Sequence, residues 1–488
     1  YPEAALGATG RPFRSPARGP VLGLADPHVH VTAELRAGGL VISGSSYDRF
    51  GITRALGNDA AVHGEDGGSD ITGNLLRSGT PTGTHDTHGW PTFAGWPAFD
   101  TYTHHQAYWR WLQRAWMGGL RLIVAQVVED QPLCDIEPAK SHSCDETATA
   151  ELQVQRLRGL EHYVDAQSGG RGRGWFRIVA GPAEARRVIR RGKLAVVIGF
   201  ESSNPFGCHL RQGQPQCDRA KIDAGIERLH AMGIRSLFVA HWVDNALAGA
   251  ALEGGDKGTF IAGMQVSHTG RPFVTGDCPH PGQGEEPAVT GALVGRQCNT
   301  MGLTELGEYA VGRLMDRGML IEVDHMSEWA RDRVLAIAQE RGRPLVSSHT
   351  GTGGTWHESE LTRLAAVGGF ASATLDDAAK LPDKVLAFGR YGLTPGLSTD
   401  TGGFAALPAP APDRQLDYPF TAFSPGVRFT RQQTGERTFD LNTDGMAHYG
   451  LLPDLLALTA QEERGREALA ALFGSAEAYL RTWERAGA

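Results

Sequence analysis

Two histidines spaced two residues apart close the segment Asp26-Pro27-His28-Val29-His30. In an extended chain, side chains at i and i+2 point to the same side, so two imidazoles at this spacing can grip one ion. The positional logic recurs along the chain. A titratable residue ends one apolar run after another: Glu201 after Val197-Ile198-Gly199-Phe200, His241 after Phe238-Val239-Ala240, and His325 after Glu322-Val323-Asp324. His349 follows Ser347-Ser348, and Asp400 follows Leu397-Ser398-Thr399. A chance scatter of polar residues would not put one at the end of nearly every strand, where α/β barrels hold their catalytic residues. Four imidazoles (His28, His30, His325 and His349) with the Glu201 carboxylate suit two divalent ions, most readily Zn2+, each leaving room for water. Asp400 could then take the proton from that water and pass it to a leaving group. Taken singly, each histidine could instead be a hydrogen-bonded core side chain, and Asp400 a turn-stabilising residue ahead of Gly402-Gly403.

The elements that would have to position these residues are legible as eight short apolar runs rich in β-branched residues: 21–25, 121–128, 193–199, 234–240, 319–323, 344–347, 369–374 and 394–397. Between them, 221–231, 303–316 and 327–341 carry apolar residues at helical spacing, with Thr304 and Ser327 as start signals and Gly233, Gly318 and Gly342 as stops. Strands alternating with helices predict a parallel sheet, and eight of them favour a closed (β/α)8 TIM barrel with large insertions in the loops at its C-terminal face. The reading is one elaborated domain over residues 1–488. A Gly-, His- and Trp-rich insertion occupies 36–118 and a second loop insertion occupies 251–300. His85, His88, His104 and His105 lie in the first insertion among Trp90, Trp96, Trp109, Trp111 and Trp116, which would make either a lid over the site or a self-packed subdomain. The segment 444–449 either caps a following helix or edges the pocket.

Hydrophobic residues make up 41% of the chain and charged ones 21%, enough for a large core. A net charge of -8 without Lys/Arg runs argues against nucleic acid as a partner. No apolar run approaches the roughly 18 residues of a transmembrane segment. A small-molecule or peptide substrate is the expected partner, and assembly into a homo-oligomer is left open. The six cysteines fall into three local pairs, Cys134 with Cys144, Cys208 with Cys217 and Cys278 with Cys298, which suggests three loop-closing disulfides. Disulfides imply an oxidising compartment, and a chain opening on Tyr1 fits removal of a signal peptide and equally a trimmed chain, so secreted or periplasmic residence is the expectation.

Glu201, the stretch 234–245 (IRSLFVAHWVDN), the stretch 302–327 (GLTELGEYAVGRLMDRGMLIEVDHMS) and 346–350 (VSSHT) resemble, in order and spacing, the membrane (renal) dipeptidase family of binuclear zinc metallopeptidases in the amidohydrolase superfamily. The resemblance covers roughly residues 190–400 well and the ends loosely. It implies that Glu201 bridges two metals, that His325 and His349 hold one ion, and that the first-strand motif holds the other. It further implies that His241 meets the substrate carbonyl or its oxyanion with Asn245 close by, and that Asp400 is the acid/base.

Two departures qualify the substrate. The family's His-x-Asp is His28-Val29-His30 here, which replaces an anionic ligand with a neutral one. The Arg that binds a dipeptide's carboxylate is missing, since 351–361 (GTGGTWHESEL) holds no Arg or Lys. The expectation is therefore hydrolysis of an amide bond in a small peptide or peptide-like molecule that is not an ordinary free dipeptide. Its selection would fall to the 36–118 insertion, with Arg110 or Arg114 there as substitute cations. A lactone, ester or non-peptide amide is the alternative substrate, and a catalytically inactive, ligand-binding barrel is the alternative of another class.

Overall fold

A computed structural model describes residues 1–280, 298–350 and 356–487. Its centre is a ring of eight parallel strands: β1 (Leu24–Val29), β2 (Leu120–Glu129), β3 (Leu194–Ser202), β4 (Ile234–Phe238), β5 (Leu320–Glu322), β6 (Val346–Ser347), β7 (Phe370–Thr374) and β8 (Gly396–Ser398). They pair in sequence order from β1 to β8. The ring closes at one end through backbone bonds from Asp400 N to His28 O (3.0 Å) and from His30 N to Thr401 O (2.9 Å). Every residue of β2 and β3 is buried, as expected where helices cover one face of a parallel sheet and the barrel interior the other. A short extra strand, Phe176–Ile178, pairs with the start of β3 off the ring.

All eight expected strands are present, with shifted ends. The largest shift is in β1, expected at 21–25 and found at Leu24–Val29. Reading the apolar run alone stops it short, because the strand continues through Asp26 and Pro27. Asp26 is fully buried, and its carboxylate accepts bonds from Thr399 Oγ1 (2.7 Å) and Tyr449 OH (2.8 Å), which makes a charged residue tolerable inside a strand.

The helices obey the sequence signals closely. Arg219–Met232 ends on Gly233, and Glu328–Arg341 ends on Gly342, both glycines in left-handed conformations that a side chain would disfavour. Thr304 Oγ1 accepts from Gly307 N (3.0 Å) to open Glu305–Asp316, and Ser327 Oγ accepts from Ala330 N (3.1 Å) to open Glu328–Arg341.

The first insertion contains only short helices until Trp109–Met117. Its aromatic residues face inward: Phe93, Trp96, Tyr108 and Trp111 are buried in the main hydrophobic core. Trp111 stacks on His448, ring centroids 4.1 Å apart, and donates from Nε1 to Thr434 Oγ1 (3.2 Å). His448 is thus a buried packing residue, and the segment around it ties the insertion to the C-terminal helices. Residues 281–297 of the second insertion lie outside the described residues, as do 351–355 of the segment without the dipeptide-binding Arg. All three expected disulfides are formed, each in a loop following a different strand, β2, β3 and β4. Such bonds persist in oxidising surroundings. Among the described residues, no helix is long and apolar enough to cross a membrane.

Candidate metal centre

The end of β1 delivers His28 and His30 to the mouth of the barrel, and β3 brings Glu201. The residues just beyond β4, β5, β6 and β8 bring His241, His325, His349 and Asp400. The structure draws all seven together. Glu201 lies at the centre, with Oε2 3.4 Å from His30 Nε2. Its Oε1 lies 3.6 Å from His28 Nε2, 3.5 Å from His241 Nε2, 3.5 Å from His325 Nε2 and 3.9 Å from His349 Nε2. Asp400 Oδ1 faces the first pair, 3.5 Å from His28 Nε2 and 3.3 Å from His30 Nε2. The histidines and Glu201 are buried. The Asp400 side chain keeps 22% of its surface open, which gives the cluster one solvent-facing carboxylate.

Each imidazole is held by its other nitrogen. Nδ1 of His30 meets Gln126 O (3.0 Å), that of His241 meets Asp130 Oδ1 (2.5 Å), that of His325 meets Glu253 Oε1 (3.5 Å), and that of His349 meets Asp324 Oδ2 (3.2 Å). Nδ1 of His28 meets Ser348 Oγ (2.9 Å). A carbonyl or carboxylate only accepts, so for His30 and His241 these contacts draw the proton to Nδ1 and leave the inward Nε2 with a lone pair, whereas the Ser348 hydroxyl behind His28 can donate or accept. Sequence reasoning missed Asp130, Glu253 and Asp324, since no spacing links them to the histidines they hold. Asp324 adjoins His325 in the chain yet orients His349.

Inward nitrogens so close to one another need either a shared proton or a metal ion between them. His28 Nε2 is 3.1 Å from His30 Nε2, and His325 Nε2 is 2.9 Å from His349 Nε2. Glu201 Oε1 is buried without a hydrogen-bond partner among the described residues. Three sets of these ligand atoms lie close enough together to share an ion: His28, His30 and Asp400; Glu201, His241 and His325; and His28, Glu201 and His349. Imidazoles and carboxylates are the donors that suit zinc and its neighbours. The donor set fits a metal centre, with Glu201 common to two of the three sets.

The electrostatics agree. Burial pulls His349 down, but Asp324, Asp400 and Glu201 outweigh it and raise the ring to about 9, so this cage of carboxylates captures a proton where a metal ion could sit. His325 goes the other way, to about 4, under burial and the neighbouring His241. Burial alone would raise Asp400; the hydrogen bond and charge of His30 hold it at about 2, ionised at neutral pH. The backbones of His325 (φ 62°) and Asp400 (φ 49°) are left-handed. That costs on the order of 1–3 kcal/mol per residue and concentrates strain where side chains must be aimed.

No protein-family model matches the chain, and no curated protein matches it. Solved structures do. The chain is similar to amidohydrolases and dipeptidase-type metallopeptidases. An amidohydrolase from Pseudomonas aeruginosa shares 12% identity over 77% of this chain and 91% of its own, with a TM-score of 0.44. A metallo peptidase from Rhodobacter sphaeroides, liganded with a phosphinate mimic of the dipeptide L-Ala-D-Ala, shares 15% over 77% and 89%, with a TM-score of 0.46. The probable dipeptidase PvdM from Pseudomonas aeruginosa shares 16% over 95% of both chains, with a TM-score of 0.43.

A cavity of about 610 Å³ opens beside the cluster and reaches His349 and Asp400. Its wall is made by Leu361, Leu375, Phe388 and Tyr391, with the Lys384 ammonium also facing it. Among the described residues that line this cavity, none belongs to the 36–118 insertion expected to choose the substrate; the lining comes from the ends of β6, β7 and β8 and the segments that follow them. The physical reason is that the insertion spends its aromatic surface on the core. The two arginines expected to replace the clamp are engaged elsewhere. Arg114 is fully buried in a pair with Asp454, and Arg110 donates to Ala4 O (3.0 Å) and Gln113 Oε1 (2.7 Å). Neither is free to clamp a substrate.

Asn245, expected beside the substrate, is also fully committed. Its Nδ2 donates to Ser203 O and Val239 O (2.9 Å each), and its Oδ1 accepts from Leu247 N (2.7 Å) and Ala248 N (3.0 Å). It braces the loop that carries His241.

Proposed function

We propose that the protein is a binuclear metal-dependent hydrolase that cleaves an amide bond in a small peptide-like molecule. The observation that carries this reading is the convergence of five histidine Nε2 atoms on one buried carboxylate, each ring held from behind. His28, His30 and Asp400 would hold one ion and His325 and His349 the other, with Glu201 between them. His241, whose Nε2 also faces Glu201, would either complete the second site or stay free for substrate. Two ions there, most readily Zn2+, would supply Lewis-acid activation of a water and of the scissile carbonyl.

The chain's own residues carry the rest. Asp400, ionised and partly open to solvent, accepts the proton of the attacking water and delivers it to the leaving amine. His241, raised above its ordinary pKa because Asp130 and Glu201 outweigh burial, would face the developing oxyanion and stabilise it if it does not ligate. The apolar wall of Leu375, Phe388 and Tyr391 excludes water from one end of the substrate. Lys384, paired with Asp376 at 2.6 Å, supplies a cation that the 351–361 segment lacks. Three disulfides support a secreted or periplasmic setting.

A lactone or ester would meet the same groups, so the chemistry of the bond is decided by assay. The zinc-loaded chain is offered dipeptides, N-acyl amino acids and lactones. Turnover of amides with kcat/KM above about 10⁴ M⁻¹s⁻¹ is the expected result. Turnover of lactones alone would replace the amide reading, and turnover of none would replace it with a binding function.

A further inference from the structure

We infer that the first insertion holds a second, structural metal site, a closed His3Asp centre built from Asp59, His63, His85 and His104. It stands apart from the barrel cluster and independently of any hydrolase function. Three imidazole nitrogens point at one oxygen. Asp59 Oδ2 lies 3.2 Å from His63 Nδ1, 2.9 Å from His85 Nε2 and 2.6 Å from His104 Nε2. A single carboxylate oxygen has about two lone-pair sites and cannot accept three N–H groups well. The other Asp59 oxygen is left with no partner among the described residues. Hydrogen bonding alone would divide the donors between both oxygens. Crowding them on one is the arrangement of four ligands around a common centre.

The tautomers agree. His63 Nε2 faces Val41 O at 3.0 Å, and a carbonyl only accepts, so the proton sits on Nε2 and the Nδ1 lone pair faces the Asp59 oxygen. Two facing lone pairs are repulsive unless a cation lies between them, and a backbone carbonyl behind a ligating histidine is the usual way such a ring is fixed. His104 Nδ1 and His85 Nδ1 are buried without hydrogen-bond partners among the described residues, with the Asp70 carboxylate 3.9 Å from the latter, so both rings turn their hydrogen-bonding nitrogen to the shared centre. The three rings stand nearly perpendicular to one another, at 85°, 82° and 83°, with centroids 5.4, 4.9 and 4.9 Å apart. The four ligand atoms lie within 4.8 Å of each other. A tetrahedral zinc with bonds of about 2.0–2.2 Å has ligand-to-ligand edges of about 3.3–3.6 Å, longer than the 2.6–3.2 Å between Asp59 Oδ2 and the three imidazoles, so the four side chains would spread by a few tenths of an ångström to admit an ion.

The side chains of Asp59 and His104 are inaccessible, and those of His63 and His85 are 2% and 8% exposed. A site with four protein ligands and no open position is structural rather than catalytic, and nitrogen-rich ligation favours Zn2+ over Ca2+ or Mg2+. Its purpose follows from the local elements. Asp59 precedes and His63 ends a four-residue helix, Ala60–His63, which cannot hold itself together in water. His85 comes from an irregular loop, and His104 from the segment leading back to the barrel. One ion would pin these pieces together. The next residue, His105, contacts Val31 O at 3.2 Å, directly after the ligand His30, so the pinned insertion backs the first strand's end.

The test uses the full chain crystallised with excess zinc, with anomalous difference maps taken on both sides of the zinc edge. A peak within about 2.0–2.2 Å of Asp59 Oδ2, His63 Nδ1, His85 Nε2 and His104 Nε2 is expected. No peak at this position overturns the inference, whatever the occupancy in the barrel. In solution, His85→Ala and His104→Gln should each lower zinc content by one ion per chain relative to the wild type. A folded variant with unchanged zinc content would also overturn it. If both variants fail to fold, the crystallographic result decides alone.

Discussion

His241 shows how a side chain at a strand end is held in place from behind. Its Nδ1 is held by Asp130 at 2.5 Å, and Asp130 is in turn held by Arg36 NH2 (2.8 Å) and Ser203 Oγ (2.7 Å). Asp130→Asn keeps the shape but offers an amide that can present a donor where the imidazole also donates, so the ring loses its fixed orientation. A fall of about 10–100-fold in activity or metal affinity is expected, checked by metal titration and steady-state kinetics, with the folded state confirmed by circular dichroism. The seven residues of the cluster were readable because each one ends a strand, and position in a barrel is a sequence signal. Asp130, Glu253 and Asp324 were not, because their partners come from other strands and only the closed ring brings them together. The bracing role of Asn245 was hidden for a related reason: a polar residue beside a site looks available until its loop's backbone is seen to engage its donors and acceptor.

At the level of elements, the sequence conveyed the alternation of strands and helices and even the caps, since hydrophobic periodicity and cap residues are local. It conveyed least about β1, whose second half depends on bonds to Thr399 and Tyr449 far along the chain. The junction of the first insertion with the barrel is equally non-local. Glu34 accepts from Ser46 N (3.3 Å) and Arg156 Nε (3.0 Å) and faces His105 (3.2 Å). Burial alone would raise this carboxyl, but His105 and Arg156 outweigh it and hold it at about 2, below the ordinary 4.5. A depressed folded-state value stabilises the protein above the unfolded value, and the contribution is lost as pH falls through the folded one. Stability should therefore drop between about pH 4.5 and 2 in part through Glu34. Glu34→Gln should flatten that limb in denaturation midpoints measured across the range, and an unchanged limb would remove Glu34 from the account.

Across the whole molecule, the insertion, the barrel and the C-terminal helices are locked by buried polar joints as well as by one large apolar core. Arg114 sits over the Phe429 ring at 4.7 Å and pairs with Asp454, which also accepts from Tyr418 OH (2.7 Å). Arg114→Leu would leave Asp454 buried without its countercharge and should cost about 3–5 kcal/mol in urea or thermal unfolding. A loss under about 1 kcal/mol would mean that Tyr418 and the backbone satisfy Asp454 alone. None of these joints was visible in the sequence, which reads an Arg in a loop insertion as a surface charge free to meet a substrate. What the three scales share is the proposed metal centre at the barrel's mouth. It is tested most directly by counting ions in the zinc-reconstituted wild type and in two double variants, His28→Ala with His30→Ala and His325→Ala with His349→Ala. The account predicts that each folded double variant binds one zinc fewer than the wild type; unchanged zinc content in both would contradict it.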